Sequence, residues 1–556
     1  MGNLKKIYLN LKEAERRVFW FAAFFFVLSS SGLTAIFIAG ATIEIPAPGG
    51  KYIEAIVGQP AYINPVLAIG EIDKGLVRLV FSRLEDLASK IESGKDGRIW
   101  KVRLKENLKW SDQRPLLSDD ILFTVQKIQD PNTNSPFFLS WQGVLASRIS
   151  ELELEFSLAS PYSFFAENLK NLRPLPRHIF GEIPGANWRL SDYNLSPVGS
   201  GPYQFESYDK ESGGFITLYE LKANPNYVLG PAFIKKFSFR FFRKTEELVL
   251  AFSSGEVDGF ITLRTEELGG LKRPHQVIKF SLPSYYAVFL NQSRNLSFKE
   301  LEVRRTLTLT APKEKLIRET FEGEAEMLSH PIPKGAAYFD PEALEDLVST
   351  SSLSRVQLAS DILEKALWQK SSSSGFRSKK IKNSEIELGF NLVIPQVPFL
   401  LKTANILKSA WEEIGFKINL VVLSPEEIVE TVIKNRDYEA LLFGNVLNEN
   451  SDLFSFWHSS GRFSPGLNLS LYNNKKADEL IEAIRQNLDP EKRKNQFSEL
   501  QKIITLDYPA VFLYSPNYLY ITKKGLMGLA SGSIAESANR FQQVNNWYLE
   551  TVRVFK

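Results

Sequence analysis

A chain of 556 residues is longer than one compact core sustains, so at least two lobes are expected, and 44% hydrophobic with 24% charged content describes a body that folds in water. The formal charge of +3 lies within the first 17 residues, where Lys5, Lys6, Lys12, Arg16 and Arg17 outnumber Glu13 and Glu15; the remainder carries 62 basic and 62 acidic side chains, which gives no global field to hold a polyanion and excludes nucleic acid as an expected partner. With no cysteine, the chain has no disulfide, no thiolate chemistry, no Cys-based metal site and no lipid-modifiable Cys, so any membrane tether has to be peptide.

From Val18 to Gly40 run 23 uncharged residues, enough to cross ~30 Å of hydrocarbon at about 1.5 Å per residue. The basic residues before them place the N-terminus in the cytoplasm and the body outside it. Ala39-Gly40-Ala41 offers the small residues of a cleavage site, but cleavable apolar cores are usually only ~7–15 residues, so the length favours an uncleaved anchor; both readings export the body. Ile45 to Gly50 (IPAPGG) is expected to be a linker. Residues 51–57 and 99–104 alternate as strands, the first followed by the turn-rich Gln59-Pro60 and Asn64-Pro65. Trp110-Ser111-Asp112 makes a turn. A helix then starts with Ser118 as its cap, Asp119 and Asp120 in the first turn, and Ile121, Leu122, Val125 and Ile128 on one face.

Gly199 and Gly201 are expected to give a tight turn its backbone freedom before the strand at Tyr203, and Gly255 to end a helix. The run Ser371 to Ser374 with Gly375, Arg377, Lys379, Lys380 and Lys382 is expected as a solvated loop. Around it the pattern alternates: helix 356–368, strand 386–394, helix 400–414 ending at Gly415, strand 416–422, helix 426–434 and strand 438–443. Helices 475–488 and 491–506 follow, split by Asp489-Pro490. Such alternation predicts a sheet covered by helices.

Signatures of chemistry are missing. His178, His275, His330 and His458 are scattered without metal-ligand spacing. His458-Ser459-Ser460-Gly461 lacks the first glycine of a hydrolase elbow, and Gly199-Ser200-Gly201 lacks the third glycine of a dinucleotide loop. No catalytic residue, metal or cofactor is expected.

Five segments, in order, resemble the family 5 extracellular solute-binding proteins, the dipeptide, oligopeptide and nickel receptors of bacterial ATP-binding-cassette importers. They are Trp100 to Thr124, Val198 to Tyr203 with Asn224-Pro225-Asn226-Tyr227, Ser254 to Asp258, Leu290-Asn291 with Phe298 and Val303 to Arg305, and Ala404 to Ile418. The resemblance implies an α/β, two-lobed periplasmic-binding-protein type II fold with an inserted subdomain, plus one N-terminal transmembrane helix. It places the first lobe at 51–84, 196–285 and 512–556, the insertion at 85–195 and the second lobe at 286–511, behind a cytoplasmic segment 1–17, an anchor 18–40 and a linker 41–50. The apolar runs 284–290 and 509–515 are expected at the crossings between lobes. Implied further are an oligopeptide ligand, permease subunits as partners, a monomeric receptor and no enzymatic activity. The acid that family members use to meet a peptide ammonium falls here in the loop 445–460, which points to Glu449 or Asp452, with Trp457 packing nearby. Tyr203, Tyr62, Asn64 and Asn291 are further candidates for the cleft. An oligosaccharide or nickel-chelate receptor, or an anchored peptide-binding chaperone or sensor, remains the alternative.

Overall fold

A computed structural model describes residues 12–263, 265–334, 336–340, 352–372, 374–381, 384–447 and 451–556. The chain opens with α1 (Glu13–Ala41), one unbroken helix whose large apolar side chains, Val18 to Leu28 and Leu33, Ile36, Phe37 and Ile38, are exposed instead of packed into the body. The expected linker is a strand instead. β1 (Thr42–Ala47) pairs antiparallel with β22 (Glu550–Phe555), Thr42 opposite Phe555 and Ala47 opposite Glu550, and Glu44 and Arg553, facing each other in that register, join at 3.0 Å. Prolines and glycines marked the segment as irregular, whereas the partner that makes it a strand lies at the far end of the sequence.

The body is built on two sheets that share a strand. In the first, β2 (Lys51–Val57) lies between β9 (Lys236–Phe242) and β10 (Gly259–Thr262), parallel to both, and β8 (Ile216–Ala223) and β7 (Tyr203–Lys210) extend it beyond β9. β11 (His275–Ser281) joins from the other side. In the second, β12 (Ser284–Leu290) pairs with β19 (Ala440–Val446), and β17 (Gly389–Pro395) runs parallel to both β19 and β18 (Lys417–Leu423). The shared strand is β20 (Ala510–Lys523): residues 510–514 pair with β12, 514–516 with the short β13 (Ala325–Met327), and 517–523 with β11. The apolar runs 284–290 and 509–515 are thus strands of the second sheet, and the chain passes between sheets at their ends, Leu282-Pro283 and Pro516-Asn517. The two passages touch, Ser515 Oγ donating to the Leu282 carbonyl at 3.3 Å.

A smaller sheet of β3 (Ala88–Ser93), β4 (Ile99–Leu104), β5 (Leu145–Arg148) and β6 (Glu153–Ser157) carries α3 (Ser118–Gln129) and packs on the first half through Trp100, Leu104 and Trp110. Ser118 does not cap α3: it is already helical and its hydroxyl donates to the Ser150 carbonyl, while Asp120 reaches back to the Leu117 amide and also takes the Arg177 amide and the Trp110 indole N–H. Helix α2 (Glu71–Val80) ends against Gly199-Ser200-Gly201. These glycines are there for close approach, not for turn freedom. A Cβ on Gly199 would stand 2.0 Å from the Val80 carbonyl oxygen and one on Gly201 2.6 Å from the Val80 carbonyl carbon. Across this contact the Gly201 amide donates to Val80 (2.7 Å), the Ser111 amide to Gly199 (2.8 Å) and the Asn224 amide to Pro202 (2.9 Å). Gly255, at φ +84°, does end its helix, α4 (Thr245–Ser254).

In the second half, α5 (Leu301–Thr310), α6 (Lys313–Phe321), α7 (Ser352–Lys365) and α8 (Pro398–Glu413) lie with the sheet, α8 burying Leu400, Ala404, Leu407 and Trp411 before Gly415 turns the chain at φ +97°. The expected strand 386–394 is interrupted at Leu388, and its first part, β16 (Ser384–Glu387), joins β14 (Gln369–Lys370) and β15 (Arg377–Ile381) in a small antiparallel sheet. The run expected as a solvated loop is therefore partly strand, and Arg377 is buried, its guanidinium donating to the Trp368 and Ile414 carbonyls at 2.8 and 2.9 Å. Ser373 and Lys382 lie outside the described residues. Helices α9 (Lys475–Gln486) and α10 (Pro490–Asp507), the latter capped by Asp489, complete the second half.

Lys313 and His330 are among the bases buried in this half without an ion-pair partner among the described residues. Lys313 donates to the Leu328 carbonyl (2.7 Å) and the Ser329 hydroxyl (3.0 Å), and burial brings its ammonium from 10.5 to about 7 despite the pull of Glu314. His330 is brought from 6.5 to about 4 by burial and by the charge of Lys313. Each binds a proton less readily folded than unfolded, so each makes stability rise with pH, His330 between about 4 and 6.5 and Lys313 between about 7 and 10.5. Lys313→Met is expected to flatten the upper rise, read as the urea midpoint against pH; an unchanged slope would place the titration elsewhere. Gly201→Ala, whose Cβ meets backbone that has nowhere to retreat, is expected to cost about 2–3 kcal/mol in urea unfolding.

Candidate ligand-binding cleft

Three adjoining cavities lie between the halves. The first, about 470 Å³, is walled by α2 (Lys74, Val77, Arg78), by Trp141 and Arg173, and from the second half by Val446. The second, about 530 Å³, has Ala55, Tyr518 and Arg540 on one side and Phe321, Val397 and Phe399 on the other. The third, about 310 Å³, lies at the passage between sheets, beside Pro283, Arg83 and Ala336. Glu71 borders the first and second; Glu167, Asn171 and Ala535 border the first and third. The cleft so formed has both halves for walls and the shared strand in its floor.

Its charged groups are held in fixed positions. Arg540 and Glu54, both buried, pair at 2.7 Å, and Glu54 also accepts from Tyr520 (2.7 Å), whose hydroxyl meets that of Tyr52 (2.9 Å). Burial pushes the Glu54 carboxyl up against the opposing pull of Arg540. Glu536 is lashed to α2 by Lys74 (2.7 Å) and by Arg78, which also donates to Asn539 at 2.9 Å. Burial alone would raise the Glu536 carboxyl, but Arg78 and Lys74 outweigh it and hold it below the usual range. Glu71, Lys74 and Arg78 follow one another at three and four residues, so a single face of α2 presents all three to the cleft. In sequence this stripe looks like any solvated helix face, and only the opposing half reveals it as a wall.

The residues expected from sequence sit mostly behind the cleft. Glu449 lies outside the described residues. Asp452 is engaged: its carboxylate meets the Arg485 guanidinium at 3.2 Å, accepts from Tyr162 (3.1 Å) and from the Phe454 amide (3.0 Å). Trp457 is fully buried in the second half against Phe289, Tyr472 and Phe512. Tyr203 is buried and donates to the Ile234 carbonyl at 3.1 Å. Tyr62 packs under the Arg189 guanidinium, 5.0 Å from its ring. Asn64 is buried and folds the turn before α2, accepting from the Val66 amide at 2.9 Å. Asn291, also buried, donates to the Tyr438 carbonyl at 2.9 Å. None of these six borders the three cavities; Pro65 and Ala68, next to Asn64, and Val446 do. Lys74, Arg78, Arg173, Glu536 and Arg540 carried no local signal.

Asp452 and Arg485 instead receive the inserted segment. The Arg485 ring contacts, 4.3 Å to Phe454 and 5.1 Å to Tyr162, combine with a 2.7 Å bond from the Ser163 amide to the Arg485 carbonyl, and Phe164 enters the second-half core. Asp452→Asn is expected to cost about 1 kcal/mol, since Arg485 remains partly solvated. Faster deuterium exchange at Ser163 would report the loosened contact; an unchanged rate would show that the aromatic packing alone holds it.

Residues 84–464 match the family described as bacterial extracellular solute-binding proteins, family 5, middle region. The chain is similar to the oligopeptide-binding protein AppA of Bacillus subtilis, 23% identical over 495 residues that span 85% of this chain and 87% of that protein. It is also similar to the probable D,D-dipeptide-binding periplasmic protein DdpA of Escherichia coli, 22% identical over 467 residues, 81% and 83% of the two chains. Among solved structures, AppA from Bacillus subtilis in complex with a nonapeptide superposes with a TM-score of 0.71 at 21% identity, covering 91% of this chain and 100% of that one. The substrate-binding protein CtaP from Listeria monocytogenes gives 0.77 at 21%, covering 90% and 99%, and NikZ from Campylobacter jejuni in complex with Ni(L-His) gives 0.71 at 21%, covering 90% and 99%. With the two-lobed periplasmic-binding-protein fold these structures share, and with the family match across more than half its length, the chain belongs to the family 5 bacterial extracellular solute-binding proteins.

Proposed function

We propose that this chain is the extracytoplasmic receptor of an ATP-binding-cassette importer, that it closes around oligopeptides and hands them to the permease unaltered, and that α1 stays in place as its membrane anchor. The observation that carries the reading is the cleft itself: cavities lined by both halves, one of them beside Pro283 at the passage between the sheets. A ligand that touches both walls stabilises the closed arrangement by its differential contacts, and no chemical step is needed. The names of similar proteins, oligopeptide-binding, D,D-dipeptide-binding and di/tripeptide-binding, favour peptides. The 23-residue apolar run and its length beyond a cleavable core favour a retained anchor with the body outside the cytoplasm.

On this reading the first lobe comprises 51–84, 196–282 and 517–556, the insertion 85–195 and the second lobe 284–515, with the boundaries placed at the two passages in place of the motif-based 285 and 512. Since Asp452 is occupied by Arg485 and Tyr162, Glu449, three positions beyond the cleft-lining Val446, is the acid we assign to the peptide ammonium.

The full chain in detergent is expected to co-purify with mixed peptides by native mass spectrometry and, once stripped, to bind tri- to nonapeptides that are recovered intact. Glu449→Gln should weaken free-amino peptides about tenfold, roughly 1.4 kcal/mol, and leave N-acetylated ones unchanged. Cleavage of the peptide, or retention of an oligosaccharide or a nickel chelate with no peptide binding, would overturn the reading.

A further inference from the structure

We infer that the cavity between α2 and residues 167–173 is the subsite for a carboxylate of the ligand, and that Arg173 is the side chain that receives it. The inference rests on the peptide-receptor reading and deepens it by assigning one chemical group of the guest to one wall of the cleft.

Arg173 borders the first cavity, and its guanidinium donates to the Phe81 carbonyl. Among the described residues no carboxylate stands within ion-pair distance of it, although acids are close by; each is already engaged. Glu536 is taken by Lys74 and Arg78, Glu167 by Lys170 at 3.3 Å, and Glu71 accepts from the Ser537 hydroxyl. Asp86, the acid whose charge does favour Arg173, is held by Arg83 at 3.1 Å.

The surroundings are unfavourable to an unpaired cation. Burial first, then the charges of Arg78 and Arg83, bring the Arg173 guanidinium down to about 9. It nevertheless keeps its proton at neutral pH, so the cost of holding the charge there persists until an anion arrives. A second, independent sign is the Nε of Arg78, on the same wall, which is buried and has no hydrogen-bond partner among the described residues. A guanidinium presents paired N–H groups that match a carboxylate. The remaining charges of the wall, Lys74 and Arg78 against Glu536, and the nearby Glu167, leave little room for a dianion, which selects a carboxylate over a phosphate.

The test uses the full chain in detergent and three probes: tetra-alanine with a free C-terminal carboxylate, its C-terminal amide, and Ala-Asp-Ala-Ala amide. Wild type is expected to bind the free acid at least tenfold more tightly than the amide or, if a side chain is the source, to bind the Asp-bearing amide tenfold more tightly than the plain one. Arg173→Gln should abolish that ratio and leave plain-amide affinity in place, which also reports an intact cleft; Arg173→Lys should restore part of it. Measurable binding of all three probes with equal affinity by wild type overturns the inference and leaves the peptide reading standing. A ratio that survives Arg173→Gln overturns the role of Arg173. If wild type binds none of the probes, the inference and the peptide reading fall together.

Discussion

The structure depends on one strand belonging to two sheets. β20 runs 14 residues, nearly all buried, and changes partners midway, from β12 and β13 to β11 and β10. Because a strand offers hydrogen-bonding groups on both edges, it satisfies its backbone in either sheet, and across the change of partner residues 514–516 pair with β13. A proline stands at that change, Pro516, and another, Pro283, on the parallel passage, where missing amide donors cost least. If the halves rotate as proposed, the change is concentrated in these two short stretches, while most of each half keeps its own core and the inserted segment reaches across through Phe164.

Around the cleft the first half is braced at positions that are readable in sequence. The Trp-Ser-Asp turn, the Gly-Ser-Gly-Pro-Tyr segment and Asn224-Pro225 are separated in the chain but meet at the end of α2, where backbone passes so close to backbone that only glycine fits. Motifs of that kind survive as recognisable strings because the contact is made by main chain and tolerates few residue types. The same logic made Gly255 and Gly415 legible as helix ends, since a left-handed residue is a local requirement. The helices and strands of 398–423 were legible from their periodicity for an equally local reason.

What was not legible is long-range. β1 was hidden because its partner lies some five hundred residues away, and Arg377 looked solvated because its burial is imposed by carbonyls from two other segments. Ser118 has the composition of a cap, but Asp120 two residues later is better placed to reach the Leu117 amide. Asp452 is an acid in a loop that follows the cleft-lining Val446, yet nothing in the loop announces that Arg485 and Tyr162 claim it. The cleft's own cations share that opacity. A buried pair such as Glu54 and Arg540 adds little net stability once desolvation is counted, but it fixes where a charge stands, and position is what a wall requires.

The β1 and β22 ribbon carries a directional consequence. Both of its strands enter the first half, β1 through Gly49, whose amide bonds the Phe233 carbonyl, and β22 just after Trp547 in the first core. On an anchored molecule the first half would thus be the stationary jaw, braced near the lipid surface by a double stalk that resists swivelling more than a single strand does. The second half would be the travelling jaw. A permease standing beside the anchor would then meet a constant face on one side and sense occupancy through the displacement of the other.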